Sequence, residues 1–207
     1  MKFYHSILLV LLVFLTACKS EFEAFRSSNN PEKVYKAANK YYTEKQYDRA
    51  IALYDIVIQY YRGRQEAEDL FYKYAYAHYY QGDYILASTY FKNYSGTFAN
   101  SPNKMDAEYM SAYSNYKLSP NYKLDQTYTS KAIEGFEQFV NLYPNTEKAT
   151  EANNMIDEMR KKLEIKSFAQ GELYYKIGEY QAAVTSFQNT LKDFPESKNT
   201  EEIRYLI

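Results

Sequence analysis

One cysteine, two histidines and no tryptophan leave this 207-residue sequence few side chains that could do covalent or metal chemistry. The thiol is Cys18. It follows an apolar run from Ile7 to Leu15 and the small residues Thr16 and Ala17, with Lys2 ahead of the run. That order, charged then hydrophobic then small, is the order of a secretory signal that is removed from the mature protein. The run falls short of the roughly 20 apolar residues that a bilayer-spanning helix needs. Lys19, Ser20, Glu21 and Glu23 turn polar at once after it. A lone cysteine inside a fold is most often a small buried hydrophobe, but one at the end of such a run is a thiol placed for acylation. Being alone, it also excludes a disulfide within the chain.

The remaining candidates for chemistry carry less. His5 leaves with the signal, and His78 falls where two helices pack, which suits a core or groove histidine better than a metal ligand or a base. Charge clusters such as Glu66, Glu68 and Asp69, or Arg160, Lys161 and Lys162, match solvated helix faces. The sequence holds no phosphate loop, no zinc spacing and no nucleophile beside a base. A hydrolase built on paired carboxylates finds no pair forced together, so the expectation is no catalytic residue, no metal and no cofactor. A net charge of −1 lacks the clustered basic face of a nucleic-acid binder. What the chain has in excess is tyrosine, 26 residues of it, more than a core can hide without hydroxyl partners, so some must line a surface that is apolar on one side and wet on the other.

The elements that position those tyrosines repeat. Ala50, Ala87, Ala132 and Ala183 are each followed four residues later by an aromatic (Tyr54, Phe91, Phe136, Phe187) and seven residues after that by another (Tyr61, Phe98, Tyr143, Phe194). This spacing keeps both rings on one helical face. Three residues before the alanines stand Tyr47, Tyr84 and Tyr180, at the ends of the short turns Lys45-Gln46, Gly82-Asp83 and Gly178-Glu179. Small residues that allow a close helix crossing, Ala38, Ala75 and Gly171, lie twelve before their alanines, and Pro144 and Pro195 twelve after theirs stop the second helix. The unit is helix, turn, helix, stop.

This pattern resembles the tetratricopeptide-repeat (TPR) family, whose unit of about 34 residues places a small residue in helix A, alanine then phenylalanine in helix B, and a closing proline. The expected fold is all-α: a TPR-type helical-hairpin solenoid of four repeats plus the start of a fifth, preceded by a lipoprotein signal peptide. The expected divisions are a signal over 1–17, a lipidated N-terminus and linker over 18–30, and the array over 31–207, with repeats at roughly 31–66, 67–102, 103–146 and 151–197 and another helix A beginning over 200–207. Alanine spacings of 37, 45 and 51 depart from a constant period, and repeats one and two lack the closing proline. The longest irregular stretch, Ser119 to Thr129, falls between the two helices of repeat three, and such insertions are often binding elements.

Leu15-Thr16-Ala17-Cys18 resembles the bacterial lipobox, in which the cysteine is acylated and becomes the first residue of the mature protein. A lipobox, a short linker and repeats beginning at Pro31-Glu32-Lys33-Val34-Tyr35 resemble the BamD family of outer-membrane assembly lipoproteins, as do Lys45 to Ala50, Asp125-Gln126-Thr127, Ala132 to Thr146, and Tyr174 to Ala183. The resemblance implies an outer-membrane, periplasm-facing protein tethered to the membrane by its lipid. It implies a role in the machinery that folds β-barrels into that membrane, with the central barrel subunit's periplasmic domains and unfolded barrel proteins as partners. The same fold and anchor would also serve a TPR adaptor lipoprotein in peptidoglycan or cell-division complexes. In a TPR stack helix A lines the concave face, so its residues expected to point away from helix B, Tyr35, Asn39, Tyr42, Tyr72, Tyr76 and Tyr79, are the candidate peptide-binding groove. Tyrosine offers contact area at low entropy cost plus a hydroxyl, and Asn39 could serve a peptide unit as donor and acceptor.

Overall fold

The computed structural model describes residues 21–207, so Cys18, the signal-like run and His5 lie outside the described residues. Every regular element within them is helical, as the repeat predicts. After a short helical stretch over 21–26 come α1 (Pro31–Thr43), α2 (Tyr47–Tyr61), α3 (Ala67–Gln81), α4 (Tyr84–Thr97), α5 (Lys104–Leu118), α6 (Thr127–Leu142), α7 (Glu147–Lys176), α8 (Tyr180–Asp193) and α9 (Thr200–Leu206). None of these is long and apolar enough to cross a membrane. The chain forms two compact units, one through Ala107 and one from Glu108.

In the first unit the hairpins α1–α2 and α3–α4 follow from local rules. Asn30 caps α1 by accepting the Lys33 N–H at 3.1 Å, with Pro31 in the first turn where its missing N–H costs nothing. The turns into α2 and α4 each need one left-handed residue: Gly82 supplies it at φ 88°, while Lys45 is forced to φ 59° without the freedom of glycine. Val34, Ala38 and Tyr41 of α1 bury against Ala50, Leu53 and Tyr54 of α2, and Leu70 and Tyr74 of α3 join the same core. Ala75, Ala87 and Phe91 are fully buried in the second hairpin.

Core tyrosines find the partners that their hydroxyls require. Tyr54 donates to Asn39 Oδ1 at 2.8 Å, Tyr94 pairs with Ser101 Oγ at 2.7 Å, and Tyr74 donates to Asp55. His78 is 4 % exposed between the rings of Tyr74 and Tyr90. Its Nδ1 lies 3.4 Å from Asp83 Oδ2, and its buried Nε2 has no partner among the described residues.

The second unit is organised around α7. A 30-residue helix is about 45 Å long, twice the length of its neighbours. Its first half buries Ala149, Ala152, Ile156 and Met159, whereas its second half presents Phe168 and Tyr174 to the cluster of Ala183, Phe187 and Ile203 from α8 and α9. This extra length, and not a longer loop, produces the alanine spacing of 51. Helix crossings are tight where the small residues stand: a Cβ on Gly171 would come within 2.5 Å of the Phe187 ring, and one on Gly135 within 2.9 Å of Ala112 Cβ. Ala112 is the third-repeat counterpart of Ala38 and Ala75, displaced from the expected twelve-residue offset by the long segment 119–126. Tyr143 and Phe194, each followed by a proline that cannot continue the helix, end α6 and α8 with ψ of 53° and 68°. Phe98 takes the same form after α4 with no proline beside it.

Candidate peptide-binding surface

All six groove candidates lie in the first unit and all are partly buried. The structure joins Tyr72, Tyr76 and Tyr79 on one side of α3, with ring centroids 5.0 and 6.5 Å apart. Tyr42 reaches them indirectly, through Tyr47 at 5.7 Å, which stacks on Tyr80 at 5.0 Å, which in turn stacks on Tyr76 at 5.6 Å. The result is a continuous row of rings running from α1 across the start of α2 to α3. Tyr47 and Tyr80 were not among the sequence candidates. The signal for Tyr80 was weak because its neighbours Tyr76 and Tyr79 had already been assigned to the face, although at 52 % exposure it is the most open ring of the row.

The other half of the expectation needs revising. Tyr35, Tyr72, Tyr76 and Asn39 were expected to point away from the second helix of their hairpins, yet they lean onto it: Tyr35 lies 4.9 Å from Tyr61, Tyr72 5.2 Å from Tyr94 and Tyr76 4.8 Å from Phe91, while Asn39 accepts the Tyr54 hydroxyl. Their polar atoms are engaged within the fold. Tyr35 donates to Asp69 at 2.6 Å, and Tyr72 and Tyr76 both donate to one Asp106 oxygen, at 2.6 and 2.5 Å. Burial, reinforced at Tyr72 and Tyr76 by Asp106, pushes all three phenols well above their ordinary value, so each is a fixed donor at any physiological pH.

These bonds have a period. Tyr35, Tyr72 and Tyr109 are 37 residues apart, and each donates to an acid at the start of the following helix A: Asp69, Asp106 and, at 3.1 Å, Glu151. The first two links span 34 residues and the third 42, the difference being the longer segment 119–126. A second latch repeats as Ser101 Oγ to Glu68 and Ser197 Oγ to Glu164, both at 2.6 Å and both spanning 33 residues. At Tyr35, Tyr72 and Tyr76 the arrangement therefore leaves ring faces and edges, rather than hydroxyls, for a ligand. Among the described residues no set of three His, Cys, Asp or Glu side chains could hold a metal ion.

The family model described as YfiO, outer membrane lipoprotein, matches residues 27–206. Two curated relatives, both named outer membrane protein assembly factor BamD, are similar over part of the chain. The one from Caulobacter vibrioides is 29 % identical over 127 residues, 61 % of this chain and 42 % of its own length. The one from Rickettsia prowazekii is 27 % identical over 99 residues, 48 % of this chain and 39 % of its own length. The matched stretches thus span about two fifths of each relative. Among solved structures, the TPR2AB domain–pHSP90 complex of yeast Sti1 aligns with a TM-score of 0.47 at 17 % identity, covering 84 % of this chain and 68 % of that one. A thermophilic TPR protein of Thermus thermophilus aligns at 0.42 and 14 %, covering 85 % and 96 %.

Proposed function

Because this chain belongs to the YfiO family of outer membrane lipoproteins, we propose that it is a non-enzymatic scaffold and substrate receptor for the assembly of β-barrel proteins into the outer membrane. Cys18 carries the lipid that tethers it there, facing the periplasm. Its partners are the periplasmic domains of the central barrel subunit and unfolded barrel proteins in transit. The observation that carries the receptor reading is the row of rings from Tyr42 through Tyr47, Tyr80 and Tyr76 to Tyr79. Unfolded barrel strands alternate apolar and polar residues, and such a strand can lay its apolar side chains on a tyrosine row without needing the Tyr76 hydroxyl, which the fold already uses. Tyr72 packs against the row at Tyr76, whereas Tyr35 and Asn39 turn to Tyr61 and Tyr54 of the neighbouring helix.

The test is a photoreactive phenylalanine at Tyr80 in living cells. Adducts with barrel proteins or with the barrel subunit support the reading. Adducts only with cell-wall enzymes would move the chain to the adaptor role, and the absence of any adduct would reduce the row to packing.

A further inference from the structure

Segment 119–126 is out of scale with the other hairpin turns, which occupy 44–46, 82–83 and 177–179. It is also fixed in place. Lys166 Nζ reaches from α7 to the carbonyls of Leu124 at 2.8 Å and Tyr122 at 3.3 Å, and Lys162 Nζ donates to Ser119 Oγ at 2.8 Å. From below, the buried Gln126 amide donates to the carbonyls of Asn121 and Leu124 at 2.9 and 3.0 Å. Ordering a backbone segment costs about 1–2 kcal/mol per residue, and here the ordering leaves the one large aliphatic side chain at the apex, Leu124, 60 % exposed.

The surroundings of that leucine are basic. Lys117, Lys123 and Lys131 stand within seven residues of it along the chain, and Lys162 and Lys166 reach its segment from α7. The acids nearby are Asp125, Glu158 and Glu164, the last two accepting the hydroxyls of Tyr116 and Ser197. Over residues 117–131 three lysines stand against one acid, in a chain whose net charge is −1. Lys123 and Lys131 lie against the rings of Tyr122 at 5.9 Å and Tyr128 at 5.2 Å.

We propose that the hairpin tip formed by segment 119–126 with Lys162 and Lys166 of α7 is a contact surface for an anionic phospholipid bilayer. Leu124 enters the acyl boundary, the tyrosines sit at headgroup level, and the lysines of the hairpin extend their stems along apolar surface while their ammonium groups meet phosphates; Lys162 and Lys166 hold the tip in shape from α7. An acidic protein face would satisfy the lysines too, but the collar of tyrosine and lysine around a bare leucine is the composition that an interface between oil and water selects. This inference rests on the reading that Cys18 is acylated, which keeps a bilayer within reach.

The chain contains no tryptophan, so Leu124→Trp in the chain from residue 18 onward, with Cys18→Ser to remove any acyl contribution, places a single indole at the apex. It is titrated with vesicles of phosphatidylcholine alone and with vesicles containing about one third phosphatidylglycerol. The expected result is a blue shift with the anionic vesicles only, abolished in about 0.5 M salt. Combining Lys117→Gln, Lys123→Gln and Lys131→Gln should weaken the apparent affinity roughly 100-fold. Emission unchanged with both vesicles, equal binding by the triple variant, or a shift seen only on adding the purified barrel subunit would each overturn the proposal. Failure of the anchor reading shows separately, as an unmodified mass for the Cys18 peptide from cells, and leaves the vesicle result standing.

Discussion

At the scale of the residue, His78 is the group whose charge the fold opposes. Burial among Tyr74, Tyr90 and α3 holds its imidazole below the ordinary histidine range, only partly offset by Asp83 and the more distant Asp55. A base with a lowered folded pKa binds fewer protons folded than unfolded. Its contribution is therefore intact above the unfolded value of about 6.5 and is lost as pH falls below it. Chemical denaturation at pH 7.5 and 5.5 should show the loss, and the same pair of measurements on His78→Phe should show a smaller one; equal losses would exonerate the histidine. Lys45 offers the opposite case. Its left-handed backbone carries a steric cost that Lys45→Gly removes, so that variant should gain about 1 kcal/mol, read as a raised denaturation midpoint. The turn was legible from its alignment with Gly82-Asp83 and Gly178-Glu179, and the strain shows in the same alignment, which sets Lys45 where the other two turns use glycine at positive φ. Spacing located the groove tyrosines on helix A, but where their hydroxyls go depends on acids one repeat further along, which no local pattern reveals.

At the scale of the element, the hydroxyl–carboxylate links make neighbouring hairpins dependent on one another. Tyr72→Phe should cost about 1 kcal/mol, the usual net worth of one hydrogen bond. Because Tyr72 and Tyr76 share one oxygen of Asp106, each single loss is cushioned by the hydroxyl that stays, and losing both should cost more than the sum of the single losses; a double-mutant cycle with Tyr76→Phe measures that coupling, and strict additivity would show that the two bonds are independent. Close helix crossings set a second limit. Gly171→Ala pushes a methyl group into the Phe187 ring and should destabilise the second unit by about 1–3 kcal/mol, visible as a lower thermal midpoint. Ala38, Ala75 and Gly171 were legible as crossing points because they keep a fixed offset from the helix B alanine. Ala112 was not, since the segment 119–126 breaks that offset by lengthening the connection in between.

At the scale of the whole molecule, the all-helical repeat was the most legible feature, because alanine and aromatic residues recur at spacings that only helices satisfy. The proposed lipid tether at Cys18 is tested at this scale by Cys18→Ala: the variant should leave the membrane fraction for the soluble periplasm, while retention in the membrane fraction would mean that protein partners alone hold it. The irregular spacing, in contrast, conceals two different devices, a longer connection in repeat three and a longer helix in repeat four. They differ in what they tolerate. Segment 119–126 can gain or lose a residue without rotating the helices on either side, at the expense of the bonds from Lys162, Lys166 and Gln126 that order it. Helix α7 cannot, because its two halves grip different neighbours and each added residue turns the downstream half by 100°. One alanine inserted near Glu164 would swing Gly171 away from Phe187 and present the wrong face to α8. The helix is thus a phase-locked shaft, and length changes accepted in this region should fall in whole turns or not at all.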